Sequence, residues 1–203
     1  MTTLLHLDAS ARCRSISREV SAAFAHAWRA QHPDGGYVYR DFATDPVPFI
    51  DEAWTELCDA VLAQGSTDLE RIAELVRTPA QASAWDIVEP LLTELRAADV
   101  VLIGTPMYNY SIPAALKAWL DQVTFPRMSL APRRFVVAAA RGDAYCDGAP
   151  KAAFDYQQRY LREREEHSRS YALALEPLAG LARGIEMNWP VLILAPAEGA
   201  SHA

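Results

Sequence analysis

The sequence predicts a three-layer α/β fold built on a doubly wound parallel sheet. Short apolar runs alternate with segments of helical periodicity along most of the chain, and strands that run in one direction need a returning element between them. Two of the runs, 99–104 and 134–139, are continuously apolar, as strands covered on both faces are. The opening reads as a βαβ unit, whose crossovers are right-handed.

Leu4 to Leu7 form the first run, ending at Asp8. Ile16, Val20, Phe24, Ala27 and Trp28 then recur every three or four residues, which predicts a helix. The turn His32-Pro33-Asp34-Gly35-Gly36 closes it, and Tyr37 to Asp41 predicts the second strand. From Asp45 to Thr78 the pattern weakens. Pro46 and Pro48 break the chain, and two modest helices carrying Trp54, Leu57, Val61 and then Leu69, Ile72, Val76 read as an insertion. At Thr78-Pro79-Ala80-Gln81 a capping box with proline at the first helical position predicts a new helix start. Trp85, Val88, Leu92 and Leu95 mark its buried face, and Pro90 predicts a kink. Asp99 to Gly104 is expected to be the central strand. A loop from Thr105 to Tyr110 follows, then a helix with Pro113 in its first turn and Leu116, Trp119, Leu120 and Val123 on its apolar face. Arg134 to Ala139 predicts another buried strand, Ala140 to Pro150 a loop, and Lys151 to about Arg164 a helix.

A chain of 203 residues suits one domain, here 1–203, and 51% hydrophobic with 22% charged residues is the balance of a folded globular protein. No apolar run reaches bilayer length, and the start lacks the basic head and apolar stretch of a signal peptide, so a cytoplasmic, membrane-free protein is expected. Nineteen basic against 26 acidic side chains leave a net charge of -7, which repels phosphate backbones and argues against nucleic acid as a partner. Cys13, Cys58 and Cys146 are odd in number and widely spaced, as reduced thiols are, with neither disulfide nor zinc spacing. Cys13 lies near a helix start, where a thiol ionises more easily. The five histidines show no metal-like spacing, and His6 within a buried strand is expected to be a core residue.

Ligands in doubly wound sheets bind beyond the carboxyl ends of the strands, where the strand order reverses. That rule selects loops 8–17, 105–110 and 140–148. The first brings Ser10, Ser15 and Ser17, two arginines and the opening amides of a helix, with Ile16 among them, into one place. Free N–H groups and the helix dipole favour an anion by about 0.3 to 2 kcal/mol, although the residues alone fit equally a serine-rich capping segment. No G-x-G-x-x-G and no P-loop is present, so a mononucleotide phosphate fits better than a dinucleotide. Ser10 lies outside any G-x-S-x-G elbow, which leaves a hydrolase without support. In the second loop Pro106, Met107, Tyr108 and Tyr110 supply polarizable surface for a flat ring, with Asn109 between them. The alternative is a proline-terminated turn packing its aromatics into the core.

These segments resemble the FMN-dependent NAD(P)H:quinone oxidoreductases known as azoreductases. The carrying residues are Ser10 with Ser15-Ile16-Ser17, Thr105-Pro106-Met107-Tyr108-Asn109-Tyr110, and Ala140-Arg141-Gly142-Asp143 with Tyr145. The likeness runs from Leu4 to about Arg162 and implies a flavodoxin-like fold with strand order 2-1-3-4-5. It also implies FMN as cofactor, with the serine loop on its phosphate, Pro106 to Tyr110 along the isoalloxazine edge, and Ala140 to Asp143 and Tyr145 at the pyrimidine end. NADH or NADPH would be the hydride donor, a quinone, azo or nitro compound the acceptor, and no side-chain acid or base is required, because the chemistry belongs to the cofactor. Relatives are homodimers with the active site at the interface, which the apolar residues of 45–78 are expected to help form.

Three departures stand out. The family's usual Ser-Arg-Gly-Gly is Ala140-Arg141-Gly142-Asp143 here. A carboxylate about 5 Å from an anionic reduced flavin costs about 3 kcal/mol at an effective dielectric near 20, so Asp143 is expected to face solvent or pair with an arginine. The passage 122–132 is shorter than the hairpin many relatives place beside the acceptor pocket. Residues 162–169 are strongly charged where relatives have an apolar helix end, although Pro190 to Ala195 still suits a fifth strand. Two other readings follow: a flavin or chromate reductase on the same fold, and a binding or regulatory module without turnover.

Overall fold

The computed structural model describes residues 1–65, 68–126, 133–146, 148–161 and 191–194. Five strands form one sheet in the order β2-β1-β3-β4-β5. They are β1 Thr3–Asp8, β2 Gly36–Asp41, β3 Val100–Pro106, β4 Arg134–Ala140 and β5 Val191–Leu194. The helices are α1 Ile16–Gln31, α2 Glu52–Gln64, α3 Leu69–Ala73, α4 Pro79–Ala97 and α5 Ala114–Val123.

Side-chain alternation along the strands builds the three layers. Leu5, Leu7, Val101, Ile103, Phe135 and Val137 face one way and pack with Leu57, Leu92, Leu95 and Trp119 of α2, α4 and α5. Leu4, Val100, Leu102 and Val136 face the other way, onto Ala25 and Trp28 of α1. Since both faces are buried, the central strands carry no polar alternation, and that is why they read as continuous apolar runs. His6 points to the α1 side and is buried, with Nδ1 2.9 Å from the Tyr37 hydroxyl, as a core histidine.

β1 pairs in parallel with β2 and β3, and β3 in parallel with β4. The strand order is the expected one. β5, however, runs antiparallel to β4, so the sheet is mixed at this edge, a common addition to an otherwise parallel sheet.

Several local expectations are refined. β3 runs on to Pro106, so the second loop begins at Met107. Pro113 is the N-cap of α5 and precedes its first turn. At the start of α4, the Thr78 hydroxyl accepts from Gln81 N–H, whereas the Gln81 side chain accepts from Arg77 N–H one residue before the cap. The helix expected from Lys151 is instead a 3₁₀ turn, Ala152–Phe154, and then a helix over 156–161. Asp155 separates them because its Oδ1 accepts from Gln158 N–H, which caps the second element and starts it five residues later than the periodicity suggests. Of the shortened passage 122–132, residues 127–132 lie outside the described residues, as does the charged run 162–169. Among the described residues no helix is long and apolar enough to cross a membrane.

Candidate functional site

Because β1, β3 and β4 are parallel and in register, with Asp8 beside Gly104 and Pro106 beside Ala140, their carboxyl ends release three loops at one edge of the sheet. Those loops, with the last residues of β3 and β4 and the first of α1, carry every candidate residue. Ala11 N–H donates to the Tyr108 hydroxyl at 3.3 Å, and Met107 N–H to the Ala140 carbonyl at 2.8 Å. The first loop therefore touches the second, and the second touches the third.

Ser10 is buried beneath the first loop, and its Oγ accepts from Arg12 N–H at 3.2 Å. Ser15 is the N-cap of α1 but makes no side-chain capping bond; its hydroxyl lies 2.9 Å from that of the buried Ser17. The first intrahelical bond here runs from Glu19 N–H to the Ser15 carbonyl. Ile16, Ser17 and Arg18 thus present amides for which the helix has no acceptor, at the positive end of a 16-residue dipole. A serine-rich capping segment would have spent its hydroxyls on those amides, and this one does not. Such a cradle can accept an anion.

Arg12 and Arg14 are exposed, and the cation that matters structurally is Arg18, which nothing in the sequence pattern singles out. Its Nη2 donates to the Ser10 carbonyl at 2.6 Å and its Nε to the Arg12 carbonyl at 3.1 Å, so it fastens the loop from behind. The same guanidinium meets both carboxylate oxygens of Asp41 at 2.5 and 2.9 Å and lies 3.7 Å from Asp8. Asp8, buried at the end of β1, accepts from Ser21 at 2.8 Å and from the Tyr39 hydroxyl at 2.9 Å. The Arg18 hydrogen bond holds the Asp41 carboxyl below its ordinary range, and Asp41 raises Arg18 in return. Burial, then the bond to Asp8, pushes the Tyr39 hydroxyl up, keeping it a neutral donor. Gly104 is required here: a Cβ on it would lie 2.3 Å from Asp8 Oδ1 and 2.6 Å from Ser21 Oγ.

In the second loop Tyr108 and Ser111 exchange both backbone hydrogen bonds, at 2.9 and 3.0 Å, which makes Asn109 and Tyr110 the centre of a two-residue hairpin. Both have positive φ, 48° and 70°, as a type I′ turn demands. Asn tolerates this region but Tyr does not, and such residues cost on the order of 1 to 3 kcal/mol each unless their surroundings hold them. Met107 and Tyr108 are half-buried, and Asn109 and Tyr110 are exposed. The aromatics are not absorbed into the core: the Tyr110 ring packs against Tyr145 and Phe154 at centroid distances of 6.4 and 5.7 Å.

The third loop starts from Ala140 and the buried Arg141. Arg141 Nη1 pairs with Asp155 at 2.5 Å, and its guanidinium lies 5.8 Å from the centre of the Tyr145 ring. Burial pulls the Arg141 pKa down from its ordinary value, and the Asp155 charge works against that. Beyond it, a Cβ on Gly142 would meet nothing within 4 Å, so the main chain there faces open space. Asp143 is exposed to solvent, one of the two expected outcomes, and the partner it finds there is Lys151 at 2.5 Å rather than an arginine. That bond lowers the Asp143 pKa.

The three cysteines are free, with Cys13 and Cys146 exposed and Cys58 buried. Burial pushes the Cys58 thiol up to about 12, which leaves it unreactive.

A sheet with strands 2-1-3-4 in parallel and a helix after its first strand defines the doubly wound α/β class, whose ligand sites lie at the switch point of the sheet. A family model described as a flavodoxin-like fold matches residues 2–164, and the chain belongs to that family. It is 77% identical over 163 residues, 80% of this chain and 76% of the relative, to an FMN-dependent NADH:quinone oxidoreductase of Nocardia farcinica. A protein of the same description from Streptomyces avermitilis is 42% identical over 171 residues, 80% of this chain and 73% of the relative. Among solved structures, an FMN-dependent NADH-azoreductase from Bacillus anthracis in complex with FMN superposes with a TM-score of 0.68. It is 19% identical and covers 82% of each chain, a likeness of fold.

Proposed function

We propose that this chain is an FMN-dependent NADH:quinone oxidoreductase that holds the flavin at the carboxyl edge of its sheet. The observation that carries the reading is the meeting of an uncapped helix N-terminus, its hydroxyls free of capping duty, with a Met-Tyr-Asn hairpin through the Ala11–Tyr108 bond. The relatives that bear the name FMN-dependent NADH:quinone oxidoreductase support it.

On this reading the amides of 16–18 and the hydroxyls of Ser15 and Ser17 hold the ribityl phosphate, while Arg18 stays on Asp41 and keeps the loop in shape. Pro106 to Tyr110 lie along the ring edge, and the main chain of 140–143 meets its pyrimidine end, with Tyr145 beside it. Bound FMN would supply hydride acceptance and donation, and the protein's part is to orient the ring and exclude water from it. No side chain is asked to take or give a proton. Quinones and azo compounds are the acceptor class, and NADH is the donor. Asp143, exposed and neutralised by Lys151, removes the main reason to favour a binding module without turnover.

A homodimer completes the proposal, in a cytoplasmic, single-domain protein. Phe49, 77% exposed, and Ile50 follow β2 on a segment that Gln122 anchors through the Pro48 carbonyl at 3.0 Å. An apolar pair displayed on a tethered segment is suited to burial against a second copy.

The test is direct. Purified protein incubated with FMN and desalted should remain yellow, and should oxidise NADH in the presence of a quinone and of an azo dye. Colourless protein would end the flavin reading, and a monomeric mass by light scattering would end the dimer.

A further inference from the structure

The geometry points to residues 155–157 as a strap that positions the strained Asn109-Tyr110 turn, with Gln157 as its positioning residue. Its consequence for catalysis rests on the flavin reading above; its geometry does not.

Asp155 sets where the strap begins. One carboxylate oxygen accepts from Gln158 N–H at 2.8 Å and starts the helix, and the other takes the buried Arg141 of the third loop at 2.5 Å. The next two amides, Tyr156 and Gln157, are among those a helix leaves without internal acceptors. Both converge on the Tyr110 carbonyl, at 3.1 and 3.2 Å. The Gln157 side chain, fully buried, turns back to donate from Nε2 to the Pro106 carbonyl at 2.8 Å. A single residue therefore grips both ends of the segment 106–110, one by its backbone and one by its side chain.

A residue placed there only to fill space would be apolar. Gln157 Oε1 is buried with no hydrogen-bond partner among the described residues, and leaving such a group unsatisfied is unfavourable. Leucine or methionine would avoid that loss. What glutamine supplies and they cannot is the bond to Pro106, which fixes the distance between the Pro106 and Tyr110 carbonyls. The main chain of Met107, Tyr108 and Asn109 spans that interval, and the positive-φ residues Asn109 and Tyr110 persist only where the surroundings hold them. The strap acts on a ring edge it does not touch.

Two variants test this. In Gln157→Leu the FMN dissociation constant should rise about tenfold, as for one lost hydrogen bond. The visible flavin band should shift, and kcat should fall with the KM for NADH little changed, while the apoprotein melts within a few degrees of wild type. In Gln157→Glu the protonated carboxyl can still donate to Pro106 and the carboxylate cannot, so FMN affinity should recover as pH falls in this variant alone. Wild-type affinity and spectrum in Gln157→Leu, or no pH-dependent recovery in Gln157→Glu, would overturn the inference. Hydrogen exchange on the apoprotein judges the strap without flavin: the Tyr156 and Gln157 amides should exchange about tenfold faster in Gln157→Leu, with β1 and β3 unchanged. Unchanged exchange at those two amides would also overturn it. Should wild type take up no FMN, the flavin reading fails and the exchange result alone decides the strap.

Discussion

The serine loop and the Met-Tyr-Asn turn lie at the same edge of the sheet and are held in opposite ways. Behind the serine loop stands a charged network, with Arg18 shared between Asp41 and Asp8 and Tyr39 and Ser21 completing the Asp8 carboxylate. Against the turn stand backbone groups and the neutral amide of Gln157, which hold two residues at positive φ, and the buried Arg141–Asp155 pair lies one step further back. The difference teaches where charge is tolerable. An anion cradle gains from a rigid frame whose cation is already neutralised, because the phosphate then meets amides and hydroxyls and no competing carboxylate. A ring edge needs fixed main-chain geometry, and the charge kept near it, Arg141, is paired with Asp155.

The largest effect should come from putting charge on the wrong side of the first frame. Ser17→Asp places a carboxylate at the proposed phosphate site, and like charges about 4 Å apart cost about 4 kcal/mol at an effective dielectric near 20, roughly a thousandfold in FMN affinity by fluorescence titration. Near-normal affinity would show that the phosphate lies elsewhere. Next, Gly104→Ala forces a methyl into the Asp8–Ser21 contact and should lower stability in urea by about 2 to 3 kcal/mol. A smaller loss would mean that Asp8 and Ser21 can move apart to admit the methyl, and that the frame is less rigid than its hydrogen bonds imply.

On the other side, Asn109→Val puts a β-branched residue at φ 48° and should cost about 1 to 2 kcal/mol, with Asn109→Gly close to neutral. Equal losses in the two variants would show that the asparagine side chain, rather than backbone strain, matters at the turn. Asp41→Asn should remove about 1 kcal/mol at neutral pH. Because the Arg18 bond depresses the folded-state pKa of Asp41 below the ordinary 3.8, that contribution is complete above the unfolded value and disappears as pH falls through the folded one. The gap in melting temperature between wild type and Asp41→Asn should therefore close below about pH 4. The smallest effect is expected at Asp143→Gly: the carboxylate is exposed and paired with Lys151, so the flavin midpoint potential should stay where it is. A clear rise would revive electrostatic tuning by this residue.

Much of the candidate edge is legible in the sequence. Ser15, Ser17, Met107 and Tyr108 can be named because loops after buried apolar runs in an alternating pattern must emerge at one edge. Arg18 and Gln157 cannot. Each looks like an ordinary polar position on a helix, and the signal that marks it is a partner 23 residues away in β2 or 51 residues away at the end of β3. The lysine partner of Asp143 is hidden for a related reason: the 3₁₀ turn at Ala152–Phe154 replaces the helix expected from Lys151.

Hydrophobic periodicity and punctuation depend on neighbours a few residues apart, so the chain by itself determined the order of its elements, its buried strands and the three loops that meet at one edge. Pairing across the sheet depends on register and on which backbone groups find acceptors at a distance. Only the folded molecule therefore decided that β5 runs antiparallel, that Arg18 serves the loop's shape, and that a helix start closes on the Tyr110 carbonyl.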